Sequence, residues 1–220
     1  MRPILTGLLL ALLASASAGA QPMREIRGAP AGQFDFYVLA LSWSPGFCEV
    51  EGGDRNREQC ETGGGLGFVV HGLWPQLEQG YPTHCRPEGR VPSRLVVEAA
   101  REIYPDEGLA RHQWRKHGSC SGQSPADYFA SVRRAADLVR IPNRLARPET
   151  PTKALPIEIE RAFADANPGL RPDMMAVSCR RRLFLEIRVC IEKNLRGFRR
   201  CEQVDRDGCD GSEVTINAVR

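Results

Sequence analysis

Phe34-Asp-Phe-Tyr-Val-Leu-Ala-Leu-Ser-Trp43 sets aromatic and branched residues almost without interruption and stops at Ser44-Pro45-Gly46. That composition reads as a buried strand closed by a turn. Gly63-Gly-Gly65 then makes a flexible approach to a second strand, Leu66 to Val70, which runs directly into His71. These glycines are not a phosphate-binding loop, because the Lys-Ser/Thr ending and following helix of that motif are absent. Helical patterns follow. Pro92 to Tyr104 carries Pro92 in its first turn and Leu95, Val96, Ala99 and Ile103 on one side. Leu109 to His117 is a helix stopped by Gly118, and Ser124 caps another that opens at Pro125 and runs to about Arg140. Pro156 to Ala166 is a fourth. Leu183-Phe-Leu-Glu-Ile-Arg-Val-Cys-Ile191 partly alternates apolar and charged residues, the pattern of a strand with one wetter face. Helices grouped mid-chain between strands predict an α+β domain, with a mostly antiparallel central sheet packed with helices.

The first residues follow a different logic. Arg2, an apolar run of 11 residues from Ile4 to Ala14 and the small residues Ala18-Gly-Ala20 read as a secretory signal peptide over 1–20. The run is too short to span a bilayer as a helix, and no other stretch is long enough. The remainder, 21–220, is expected to form one domain, exported to a periplasm or out of the cell and acting as a monomer without membrane attachment. All eight cysteines lie in it, and an even number in an exported chain reads as disulfides. A zinc site is the rival reading, but there is no Cys-x-x-Cys pair. The formal net charge of +3 is too small to argue nucleic-acid binding from the total. From Arg171 to Arg206, however, ten Lys/Arg stand against five Asp/Glu, which suits either a path for a phosphate backbone or a solvated basic face.

Three of the four histidines fall in two short segments, Phe68-Val-Val-His-Gly-Leu-Trp-Pro75 and His112-Gln-Trp-Arg-Lys-His-Gly-Ser-Cys120. On a helix His112, Gln113, Lys116 and His117 form one polar band about 140° wide. His112 and His117 are five apart, a poor spacing for a shared metal, and imidazoles beside an ammonium suit an anion. Such a set can cleave a phosphodiester through its own 2′-hydroxyl without metal or other cofactor. Histidines serve as base and acid, and a lysine neutralises charge on the phosphoryl oxygens. His71 and His117 are the candidate pair and Lys116 the stabiliser. Trp74 suits either stacking on a base or filling the core, Trp114 reads as core, and His84 as structural. Gly72 and Pro75 are expected to shape the turn after the strand and contact nothing.

These segments resemble the two active-site segments of the ribonuclease T2 family, and 34–43 and Leu185-Glu-Ile-Arg-Val-Cys190 are similar to that family's first and late strands. The resemblance implies an α+β endoribonuclease that cleaves single-stranded RNA through a 2′,3′-cyclic phosphate to a 3′-phosphate. It implies His71 as general acid, His117 as general base, Lys116 as stabiliser of the phosphorane, His112 as phosphate holder and Trp74 as a base contact. It also implies the pairs Cys85–Cys120 and Cys179–Cys209 around Cys190–Cys201, leaving Cys48–Cys60. One residue departs: the family usually has Glu where this chain has Gln113, which carries neither charge nor transferable proton. Activity is therefore expected to be reduced or shifted in pH optimum. Two other readings compete, a binding protein on the same scaffold and a zinc-dependent phosphoesterase built from the four histidines. Turnover on RNA separates the first, and bound metal in the purified protein the second.

Overall fold

In the computed structural model, which describes residues 23–51, 57–61, 63–85 and 91–219, Phe36–Trp43 is buried along its whole length. The segment read as a signal peptide lies outside the described residues. In chain order the elements are β1 (Glu25–Arg27), β2 (Phe36–Trp43), α1 (Ser44–Glu51), α2 (Arg57–Cys60), β3 (Phe68–Gln76), β4 (Tyr81–Thr83), α3 (Arg94–Ala99) and α4 (Glu107–Lys116). There follow α5 (Pro125–Asp137), α6 (Asn143–Ala146), β5 (Thr152–Ala154), α7 (Pro156–Ala166), β6 (Met175–Arg180), β7 (Leu183–Glu192), α8 (Glu202–Arg206) and β8 (Val214–Ile216).

Strand β7 is central. It pairs antiparallel with β2 and with β6, and β2 pairs antiparallel with β3. A short parallel contact, Leu183 with Thr215, joins β8 and its antiparallel neighbour β5. This is the expected α+β architecture with a mostly antiparallel sheet. Both faces are covered. Tyr37, Leu39, Leu41 and Trp43 face the main core, against Val97 of α3, Trp114 of α4, Tyr128 and Val132 of α5 and Phe163 of α7. Phe36 and Val38 point the other way and pack with Ala176, Cys190, Cys201 and Val204. Full burial of each such large side chain stabilises by roughly 1.5–3 kcal/mol. Four disulfides staple the fold: Cys48–Cys60, Cys85–Cys120, Cys179–Cys209 and Cys190–Cys201.

The caps explain where helices start. Ser124 accepts a hydrogen bond from Asp127 N–H ahead of Pro125, and Glu158 reaches back to the Leu155 N–H at the start of α7. Both helices begin where the sequence places them. Helix α3 does not: Ser93 is its N-cap, so Pro92 stands outside the first turn. The buried line is Val97, Ala100 and Tyr104, whereas Leu95 is 75% exposed. Val96 and Ile103 of the expected face pack against this line, whereas Leu95 and Ala99 turn outward.

Strand β3 is longer than expected, because it continues through His71, Gly72, Trp74 and Pro75 to Gln76. Pro75 is tolerated because β3 is the outer strand of its sheet, where a missing N–H leaves no ladder bond broken. The basic stretch also reads differently. Arg171, Arg180, Arg199, Arg200 and Arg206 are held by Asp173, Glu51, Glu78, Asp173 with Glu202, and Glu202. Lys193 donates to the Gly32 and Phe34 carbonyls. These side chains satisfy local partners instead of forming one track.

Candidate active site

His71 occupies a break in the β2–β3 register. Ala40 faces Gly72 and Leu41 faces Val70, so His71 is the extra residue of a β-bulge. Strict alternation from Leu73 would turn His71 into the main core. The bulge re-aims it, a frequent use of bulges beside active sites.

Beyond the bulge, one face of the sheet reads Gly72 and Trp74 on β3, Ala40 and Val38 on β2, Arg188 and Cys190 on β7. Ala40 and Gly72 are small and leave a trough. Across it the Arg188 guanidinium lies 5.5 Å from the centre of the Trp74 ring. A Cβ on Gly72 would overlap Gln113 Oε1 and Trp74 Nε1, so glycine lets the strand pass beneath that contact. The expectation that Gly72 touches nothing is corrected here. Close packing, not turn geometry, accounts for the residue.

Helix α4 supplies the opposite wall. Asp106 caps it by accepting from Leu109 N–H, and Ala110 and Trp114 bury its apolar side. Glycine at 118 allows the chain to turn tightly, since a Cβ there would collide with the Trp114 and Tyr128 rings. Tyr128 donates to the Leu73 carbonyl at 2.8 Å, tying α5 to β3. His117 is the C-terminal cap, its N–H donating to the Gln113 carbonyl at 2.9 Å. The loop after β4 is fixed to the same end of α4 by the Cys85–Cys120 disulfide and by His84 N–H donating to the Lys116 carbonyl.

A cavity of about 390 Å³ between these walls is lined by all six candidate residues: His71, Trp74, His112, Gln113, Lys116 and His117. Trp74 touches both candidate acid/base rings. Its centroid is 5.3 Å from that of His71, edge-on, and 5.2 Å from that of His117, stacked at 28°. Its indole N–H donates to Gln113 Oε1 at 2.9 Å, which turns the amide NH₂ of Gln113 away from the indole. Trp74 is therefore a half-buried wall of the cavity that also packs against the smaller apolar cluster of Phe36 and Val38. Trp114 is in the core, and His84 lies outside this cavity.

The electrostatics separate the histidines. Burial, then the charges of Lys116, His71 and His112, holds the His117 imidazole well below the usual histidine range. Its Nδ1 is buried without a hydrogen-bond partner among the described residues. His112 is also lowered, by burial first and then by the charges of Lys116, Arg115 and His71. His71 instead has a carboxylate against it, Glu186 Oε2 accepting from Nδ1 at 2.6 Å. Burial works against ionisation of Glu186, yet His71 and Arg188 together hold its carboxyl below the ordinary glutamate range. Glu186 and Arg188 are the residues that sequence reasoning missed. On β7 they looked like a wetter face, but Glu186 is buried and Arg188 lines the cavity. The available signal was their opposite charge two residues apart, on one side of a strand.

The ribonuclease T2 family model matches residues 34–201. The chain belongs to the ribonuclease T2 family. A ribonuclease of Aeromonas hydrophila is 44% identical over 125 residues, covering 57% of this chain and 52% of that protein. The chain thus spans about half the length of the first curated relatives it matches. The RNase-related protein from Calystegia sepium has the same fold, with a TM-score of 0.67 at 19% identity over 85% of this chain and 98% of that one. RNase NT in complex with 5′-AMP superposes with a TM-score of 0.58 at 20% identity, over 77% and 91% of the two chains.

Proposed function

We propose that the protein is a metal-independent endoribonuclease that cleaves single-stranded RNA, with His117 as base, His71 as acid and Lys116 facing the phosphoryl oxygens. The observation that carries this reading is Trp74 in contact with both imidazoles on the wall of one cavity that Lys116 also lines. Neutral His117 takes the proton of the 2′-hydroxyl, whose oxygen attacks phosphorus. The bond from phosphorus to the 5′-oxygen breaks, and His71 delivers a proton to that leaving oxygen. A 2′,3′-cyclic phosphate results. In the second step His71, now neutral, takes a proton from water, the water oxygen attacks phosphorus, the bond from phosphorus to the 2′-oxygen breaks, and His117 returns its proton to that 2′-oxygen. The product ends in a 3′-phosphate and both histidines regain their starting states.

Lys116 supplies positive charge where the phosphorane gathers negative charge, and His112, its imidazole lowered toward the neutral form, offers a ring N–H to the phosphoryl oxygens. Cations standing among the imidazoles favour an anion over a metal ion. Trp74 offers a face for a base, and the binding of 5′-AMP by RNase NT, named above, fits a nucleotide at such a site. Residues 1–20 are read as a signal peptide that exports a single catalytic domain, 21–220, to a periplasm or the medium, where it acts as a monomer on RNA.

The test is a digest of a defined oligoribonucleotide with and without EDTA, with end-group analysis. Cyclic phosphates giving way to 3′-phosphates, an unchanged rate in chelator and no cut at a single 2′-deoxy position are expected. Loss of cleavage in EDTA, or a cut at the deoxy position, would contradict the mechanism.

Burial, then neighbouring cations, favours the neutral form of His117, and Gln113 places no carboxylate beside it to offset them. On the acid side activity falls as His117 is protonated, and that limb lies below the ordinary histidine range because the imidazole is lowered. Gln113→Glu, which still accepts from Trp74, is expected to raise the acidic limb of the rate profile by about 1 pH unit. An unchanged profile and rate would leave Gln113 with no part in the chemistry.

A further inference from the structure

We propose that Glu186 is a positioning residue, whose buried carboxylate decides which nitrogen of His71 meets the substrate, and that Arg188 holds Glu186 in that position. The inference rests on the reading of His71 as proton donor. His71 sits in a bulge with its side chain 38% exposed, and its backbone alone does not fix the ring. A carboxylate on Nδ1 selects the tautomer with Nδ1–H and leaves Nε2 to give and take the proton.

The anchor is itself anchored. Glu186 stands in register between Ser42 and Ser178, in the middle of the sheet. Its second oxygen accepts from Arg188 Nε at 2.8 Å, and Arg188 in turn meets Asp207 at 3.5 Å. A carboxylate buried this deeply without partners would be costly, and here each oxygen has one. The other titratable and charged groups about His71 are His112 and Lys116 of α4, His117 at its C-terminal cap, and Asp106, the N-cap of α4, which lines a second cavity with His71 and His112. Among the described residues that line the cavity, Asp207 is the one carboxylate, and it reaches Arg188, while Glu186 lies buried behind His71. One carboxylate therefore serves one of the two histidines. That asymmetry gives His71 a fixed ring orientation, as its reading as donor requires, and leaves His117 Nδ1 without such an anchor among the described residues. The same contact explains why a charged residue occupies a buried position on β7.

A double-mutant cycle on oligoribonucleotide cleavage tests this. Glu186→Gln is expected to lower kcat roughly 10- to 100-fold, no more than the lower end of the roughly 10²–10⁴ that a general acid contributes, with KM changed less than about twofold. In a His71→Ala background the same substitution is expected to change kcat by less than about twofold, because the group it positions is gone. Glu186→Asp keeps a charge beside Arg188 but draws back from His71, and is expected to fall between. It carries the same cycle where the glutamine variant does not fold. Equal losses in both backgrounds, or a native kcat for Glu186→Gln, would overturn the proposal alone. A native kcat for His71→Ala would overturn the donor reading and this proposal with it.

Discussion

The His117→Ala variant is expected to cleave single-stranded RNA roughly 10²–10⁴-fold more slowly than the native protein. The loss follows from chemistry more than packing. His117 is 5% exposed and stacked on Trp74, so alanine also opens a small void. His117→Asn fills most of that space without supplying a base at neutral pH, and it is expected to be nearly as slow. A rate within tenfold of native for the asparagine variant, with unfolding temperature preserved, would mean that another group accepts the 2′-proton. His71→Ala is expected to lose a similar factor, with its loss confined to the leaving-group proton.

The second large effect concerns stability. Removing the Cys85–Cys120 disulfide as Cys85→Ala/Cys120→Ala is expected to cost about 4 kcal/mol, the chain-entropy value for its sequence separation of 35. For a chain of this size that is a fall of roughly 10 °C in Tm. The bridge matters to the site because it closes the loop after β4 onto the end of α4, next to Lys116 and His117. Both sulfurs are fully buried, so the loss adds a packing defect to the entropy. Thermal unfolding followed by circular dichroism checks this, and a Tm within 2 °C of native would show that the hydrogen bonds from His84 and Cys85 hold the loop unaided.

Local signals were legible where one short stretch settles its own conformation. Strand β2 is apolar but for Ser42 because both of its faces are covered, and α5 and α7 carry their start signals at Ser124-Pro125 and Pro156. The polar band of α4 was legible as a band because helical spacing alone fixes it. Strand β3 was harder to read. Its continuation past His71 depends on a bulge, and a bulge is a relation between two strands that one strand's residues do not spell out. The same holds for Glu186. Alternation on β7 separates its two faces but does not say that Ala40 and Gly72 are the neighbours on one of them. Only with that register do Glu186 and Arg188 lie beside His71 and Trp74 instead of facing solvent. The basic stretch after Arg171 dispersed for a similar reason, since its partners Glu51 and Glu78 come from distant parts of the chain.

The central claim is that two histidines in one cavity do opposite work on one phosphate. The most direct measurement is the pH dependence of kcat/KM for the native protein and for the His71→Ala and His117→Ala variants. The native profile should be bell-shaped, with its acidic limb below the ordinary histidine range. His117→Ala should lose the acidic limb and keep the alkaline one, and His71→Ala should do the reverse. Two variants that lose the same limb, or that both retain the full bell, would show that these imidazoles are not the base and the acid of the reaction.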